Sequence, residues 1–233
     1  MPTSHPNQIN QIINLIITLS PQKILEIGPG FGAYGVLARE YLDIADGREN
    51  YKHWQRQIDC IEVFPEYLTP VHKFIYNHIF KGNALKILPK IKKRYDLILI
   101  IDVLEHLKKN DGQFLLKMSL KKARSVIVST PIKMDEQNSA FGNPYEKHLY
   151  QWSKIDFEKF KPNFKVPNNE SLIYFLGQDA RMIKKKINLE NLKNKAKKYF
   201  PVVYSSLQEW KDRIKKISPG GVEPPTSGSA RLP

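Results

Sequence analysis

Apolar and polar positions along the chain change period several times, and each change marks an element. Ile9, Ile12, Ile13 and Ile16 recur at helical spacing behind Ser4 and Pro6, which predicts an N-terminal helix with one apolar face. Lys23 to Ile27 then reads as a short strand running directly into glycines at 28, 30 and 32. Beyond them Ala33, Val36, Leu37 and Tyr41 step by three and four, so the glycine loop opens a second helix. Gln57 to Glu62 is the next strand, after a polar insert from Asp43 to Gln57. The unbroken apolar run Leu97 to Ile101 suits a central parallel strand buried on both faces. Ser125 to Pro131 is a further apolar strand.

The loop carries the first chemistry. Glycines let the backbone turn sharply off a strand and approach a ligand where a Cβ would collide. The helix that follows presents its amide-rich end to a polar ligand. This is the pattern of a nucleotide-type binding loop, and two readings of it compete. Gly30-Phe-Gly32-Ala-Tyr-Gly35 fits the G-x-G-x-x-G pattern of a dinucleotide-binding unit, which would make the protein a nicotinamide-dependent oxidoreductase. Glu26-x-Gly28-x-Gly30-x-Gly32 fits the longer pattern of class I S-adenosylmethionine-dependent methyltransferases.

From Ile9 to Gly177 the chain resembles that methyltransferase family. Gly82-Asn83-Ala84 stands where the family has Gly-Asp-Ala, and Asp102-Val-Leu-Glu105-His106 resembles its segment after strand four. Glu146-Lys-His148 with Trp152 is similar to its substrate-side loop. The resemblance implies an α/β fold: a doubly wound, mainly parallel seven-stranded Rossmann-like sheet with helices on both faces. Asn163 to Pro167 and Leu172 to Leu176 would supply the antiparallel closing pair. It implies S-adenosyl-L-methionine as cofactor, with Gly28, Gly30 and Gly32 around its methionine portion and Glu26 at its amino group. Glu62 would take the ribose, Asn83 the adenine with Phe64 against the base, and Asp102 would complete the cofactor set. A ribose-binding acid is common to both readings, so Glu62 does not separate them.

Methyl transfer needs a nucleophile held in line with the sulfonium and kept deprotonated, and a base near neutral pKa serves a hydroxyl. His148 is the first candidate base, with Glu146 in reach to orient it, and His106 is the second. Each has a plainer reading as a packing or hydrogen-bonding residue. No metal is required by this scheme, although Glu105, His106, Glu146 and His148 together have the composition of an oxygen/nitrogen metal site. Trp54 and Trp152 are candidates to wall the acceptor pocket, or are simply core. His5, His53, His72 and His78 show no partner in the sequence. The chain lacks the Pro-Pro signature of amide and exocyclic-amine methylation after Asp102, and no Pro-Cys nucleophile exists. A small or glycan/lipid-like acceptor methylated on a hydroxyl oxygen is the favoured expectation. An RNA-modifying enzyme and a non-catalytic S-adenosylmethionine or partner-binding protein remain as alternatives.

Charge changes the picture at one end. Residues 1–180 hold 24 Lys and Arg against 19 Asp and Glu, whereas residues 181–216 hold 12 against 3. Two helical stripes lie there: Leu189, Leu192, Ala196 and Tyr199, then Val203, Leu207, Trp210, Ile214 and Ile217. The expected organisation is therefore a methyltransferase domain over 1–180, a basic C-terminal helical appendage over 181–217, and a tail without periodicity over 218–233. Such an appendage lies on an anionic membrane surface, binds nucleic acid, packs on the domain, or covers an interface between copies. The oligomeric state stays open. Cys60 is the single cysteine, inside an apolar strand pattern, and no apolar run has the length of a membrane span. With no signal-like N-terminus, the protein is expected in the cytoplasm.

Overall fold

Strands that are apolar on both faces need cover on both faces, and the chain supplies it by alternating strands with helices. The computed structural model describes residues 4–134, 137–140, 142–201, 205, 206 and 209. Strands β1 (Lys23–Ile27), β2 (Gln57–Glu62), β3 (His78–Lys81), β4 (Tyr95–Ile101) and β5 (Ala123–Pro131) run parallel. β6 (Asn163–Val166) and β7 (Ser171–Gly177) close the sheet as an antiparallel pair, giving the order β3-β2-β1-β4-β5-β7-β6. The expected seven-stranded, mainly parallel sheet is present. Chain direction across the sheet reverses between β1 and β4, and that switch point is where ligands bind in open α/β sheets.

One face of the sheet holds Leu25, Ile27, Ile98, Ile100, Val126 and Val128, covered by Leu115 and Leu116 of α5 (Lys109–Lys122) and Phe157 of α6 (Lys154–Glu158). Alternate residues of the same strands point the other way. On that side lie α2 (Ala33–Arg39) and α3 (Pro70–Ile75), which the Arg39 guanidinium joins by donating to the Ile75 carbonyl at 3.0 Å. The N-terminal helix α1 (Pro6–Leu19) buries Ile12, Ile13, Leu15 and Ile16. Its N-cap is His5, whose Nδ1 accepts from Asn7 N. Asn83 caps the single-turn α4 (Ala84–Ile87).

Two stripes read from spacing lie differently in the fold. In α2 the buried positions are Tyr34, Gly35, Ala38 and Arg39, while Val36, and Tyr41 just beyond the helix, are exposed. The helix is where spacing places it, but its inward face is rotated because a buried Arg39–Asp43 ion pair at 2.8 Å takes the place of apolar contacts. Asp43 also accepts from the Gln55 and Arg56 backbone, which ties the polar insert down. In α7 (Ala180–Tyr199) only Ala180 and Ile183 are buried, whereas Leu189, Leu192 and Tyr199 are exposed.

The chain falls into two units, Met1–Lys186 and Ile187–Pro233. Residues Val203, Leu207, Trp210, Ile214 and Ile217 of the second expected stripe, and the tail 218–233, lie outside the described residues. Among the described residues no helix is long and apolar enough to cross a membrane.

Candidate active site

The glycine loop leaves β1 at the switch point. Gly28 has φ +70, and a Cβ there would stand 2.6 Å from Val103 Cγ2, so only glycine passes between the loop and the chain after β4. Gly30 is held from below by His72, fully buried on α3. His72 Nδ1 accepts from Thr69 N at 3.0 Å, which leaves Nε2–H to donate to the Gly30 carbonyl at 2.9 Å. The histidine that the sequence left without a partner is therefore a buttress of the loop. Gly32 caps the start of α2.

A cavity of about 360 Å³ opens above the carboxyl ends of β1, β2 and β4. Of the expected cofactor residues, Glu26, Gly28, Gly30, Glu62, Asn83 and Asp102 line it. Gly32 and Phe64 do not; Phe64 packs edge-on against Tyr67 with ring centroids 5.0 Å apart, and Tyr67 is the one that reaches the wall. Of the expected catalytic residues, His106 and Glu146 line the cavity and His148 stands outside it. Neither tryptophan walls it. Trp152 is core, donating Nε1–H to the Leu104 carbonyl at 2.9 Å, and Trp54 lies under the Arg39 guanidinium at 4.8 Å.

The acids in the cavity differ in how they are held. Glu26 is buried, and Tyr76 Oη donates to its Oε2 at 2.6 Å. Burial outweighs that bond, and with Glu62 nearby it pushes the carboxyl up to about 7. Glu62 is likewise raised by burial to about 7, although Phe64 N donates to its Oε1 at 2.8 Å. Asp102 sits at φ +53 with both oxygens engaged: Ser129 Oγ donates to one at 2.9 Å and Gln8 Nε2 to the other at 2.5 Å. Asn83 turns its Oδ1 back to accept from Leu85 N at 2.8 Å, so one lone pair of that oxygen is spent on the helix cap.

Farther along the cavity two loops meet. The Glu105 carbonyl accepts from Leu149 N at 2.7 Å and Tyr150 N at 3.2 Å, which draws the 142–150 segment against the turn after β4. His106 and His148 consequently face one another with ring centroids 5.1 Å apart. Glu105, His106 and His148 each bring one ligand atom to within 4.8 Å of the others. His106 Nδ1 lies 3.2 Å from the Lys147 carbonyl, an acceptor, so the proton sits on Nδ1 and Nε2 carries the lone pair. Burial lowers the His106 pKa, which favours that neutral form. Glu105 is buried, its Oε2 meets no hydrogen-bond partner, and burial raises its pKa well above the carboxylate range. Glu146 is held separately by Tyr67 Oη, which donates at 3.1 Å, with Asn143 and Gln137 beside it.

No family model matches the chain, and no curated protein does. Solved structures do. An O-methyltransferase family protein from Burkholderia thailandensis aligns at 9 % identity over 73 % of this chain and 57 % of its own, with a TM-score of 0.52. Magnesium protoporphyrin IX methyltransferase from Synechocystis PCC 6803 aligns at 12 % identity over 73 % and 82 %, with a TM-score of 0.50. The chain has the class I S-adenosylmethionine-dependent methyltransferase fold. The methyltransferase domain of bacterial CtHen1 is also similar, at 18 % identity over 74 % of this chain and 98 % of that domain, with a TM-score of 0.49.

Within this methyltransferase fold, several residues at the cavity carried no sequence signal as site residues. Tyr34, Tyr67, Asn143 and Tyr145 line it, and Tyr76 and His72 brace it from behind. Gly35, read only as part of a glycine pattern, is what admits Tyr76. A Cβ there would stand 2.3 Å from the Tyr76 hydroxyl. The cue was local, whereas its partner lies 41 residues on in the sequence.

Proposed function

We propose that the chain transfers the methyl group of S-adenosylmethionine to a hydroxyl oxygen of a small or glycan/lipid-like acceptor, in the cytoplasm. The observation that carries this reading is one cavity whose lining brings the glycine loop, Glu26 and Glu62 together with His106 and Glu146. The solved Synechocystis methyltransferase of the same fold carries bound S-adenosylhomocysteine. In the reaction the acceptor oxygen attacks the sulfonium methyl, the C–S bond breaks, and the neutral thioether leaves. The acceptor proton passes to a base, and the Nδ1–H bond to the Lys147 carbonyl leaves the lone pair of His106 on Nε2. Burial lowers the pKa of that ring, which keeps it in the neutral form able to accept a proton.

A second reading is favoured by Glu105. A buried carboxylate oxygen without a partner is costly, and beside two imidazoles it fits a divalent cation. Glu105, His106 and His148 would then hold the ion, and its charge would lower the pKa of a hydroxyl bound to it. Both readings place the deprotonation beside His106.

Titration of the protein with S-adenosylmethionine, S-adenosylhomocysteine and NAD, followed by thermal shift, tests the cofactor. Ligand at ~100 times its dissociation constant adds about 2.7 kcal/mol of stability. Binding of the two sulfur compounds only, weakened at least about tenfold in Glu62→Ala, supports the proposal. Binding of NAD alone, or of none of them, refutes it. With an acceptor in hand, Mn²⁺ titration of wild type and His148→Ala, and activity with and without chelator, separates the base from the metal.

A further inference from the structure

We propose that the Tyr34 hydroxyl holds the α-carboxylate of the cofactor, which rests on that cofactor being S-adenosylmethionine. Tyr34 stands in the first turn of α2, directly after the glycine loop, and lines the cavity. Its side chain is 4 % exposed, and its Oη meets no hydrogen-bond partner in the protein. A buried hydroxyl in that state costs stability, so a partner that arrives from outside the chain is what gives it a use. Burial first, and then the charges of Asp102 and Glu26, raise its pKa against the effect of the Ser4 side chain. The phenol therefore keeps its proton and acts as a donor.

The charge of the cavity explains why such a donor is needed. Its lining holds Glu26, Glu62, Asp102 and Glu146, and among the described residues no lysine or arginine. A ligand carboxylate that enters finds no cation there, so N–H and O–H donors have to hold it. Of the other tyrosines in the lining, Tyr67 spends its hydroxyl on Glu146, and Tyr145 is 51 % exposed. The acids beside Tyr34 are engaged as well: Asp102 accepts from Ser129 and Gln8, and Glu26 accepts from Tyr76. Tyr34 is thus the buried tyrosine next to the glycine loop with a proton to give.

Tyr34→Phe removes only the hydroxyl. Isothermal titration calorimetry on wild type and variant compares S-adenosylmethionine with its decarboxylated form, which lacks only the carboxylate. The variant should bind S-adenosylmethionine roughly ten- to a hundredfold more weakly, the range for a hydrogen bond to a charged group, and the decarboxylated compound as wild type does. The Tm of the ligand-free variant should be unchanged or higher, since a buried hydroxyl without a partner has gone. Equal affinity of both proteins for S-adenosylmethionine overturns this inference and leaves the cofactor standing. An equal loss for the decarboxylated compound also overturns it, because the ring and not the hydroxyl would then matter. A lower ligand-free Tm overturns it too, by showing that the hydroxyl is bonded within the protein. Failure of wild type to bind S-adenosylmethionine at all refutes the cofactor itself, and the role of Tyr34 falls with it.

Discussion

The Glu26 carboxyl offers the sharpest test of how the cavity is built. It is 2 % exposed, bound by Tyr76 Oη, and titrates near 7 in the folded protein against 4.5 as an ordinary glutamate. A folded pKa raised above the unfolded one means that the native state holds the proton longer. Stability from this group is complete below the unfolded pKa, is lost as pH rises from about 4.5 to about 7, and is level above that. The difference of about 2.5 units, at 1.36 kcal/mol each, amounts to about 3 kcal/mol. Glu26→Gln keeps the size and the acceptor for Tyr76 but cannot ionise. Urea unfolding of the ligand-free protein should therefore show the variant gaining on wild type by about 2.5 kcal/mol between pH 5 and pH 8. Glu62 titrates in both proteins, so the difference between them isolates Glu26. An equal offset at both pH values would refute the reasoning, because it would mean that Glu26 is not a buried acid forced to ionise. On the proposal that Glu26 holds the ligand's amino group, the same variant should bind S-adenosylhomocysteine more weakly at pH 8.

Other expectations follow from single contacts. Gly35→Ala places a methyl 2.3 Å from the Tyr76 hydroxyl and should cost about 1–3 kcal/mol, seen as a lower Tm together with weaker cofactor binding. An unchanged Tm would show that Tyr76 moves freely. Asn83→Asp preserves the cap on α4, since both residues cap equally well, and restores a charged acceptor for an adenine amino group. Calorimetry should show tighter S-adenosylhomocysteine binding at unchanged stability; equal or weaker binding would remove residue 83 from adenine recognition. His106→Ala should keep cofactor affinity and lose turnover, and normal turnover would clear it of any part in deprotonation.

Much of the fold was legible because burial on both faces leaves a local trace. Leu97 to Ile101 has no polar residue to offer a solvated face, so it could only be a central strand, and it is β4. The glycine run announced the turn off β1 because no other residue takes φ +70 against Val103. β3 left little trace: it is an edge strand of four residues whose ends are exposed, so its pattern resembles a loop. The inward face of α2 left no clean trace for a related reason. Apolar spacing records which positions are apolar, and there a buried ion pair holds part of that face.

The site divides in the same way. Sequence alone determined which residues reach the cavity from β1 and β2, since Glu26, Gly28, Gly30 and Glu62 are fixed by those strands and the loops that leave them. What braces them was decided only by the tertiary structure: Tyr76 on Glu26, His72 on Gly30 and Gln8 on Asp102 are 50, 42 and 94 residues from their partners. Periodicity reports how much of a residue is buried and carries nothing about which distant element buries it. The meeting of His106 with His148 is of the same kind, made by two backbone bonds to the Glu105 carbonyl between segments more than forty residues apart. Local chemistry therefore wrote the strands and the glycine loop into the sequence, while the pKa values and the facing histidines exist only once the sheet has brought its carboxyl ends together.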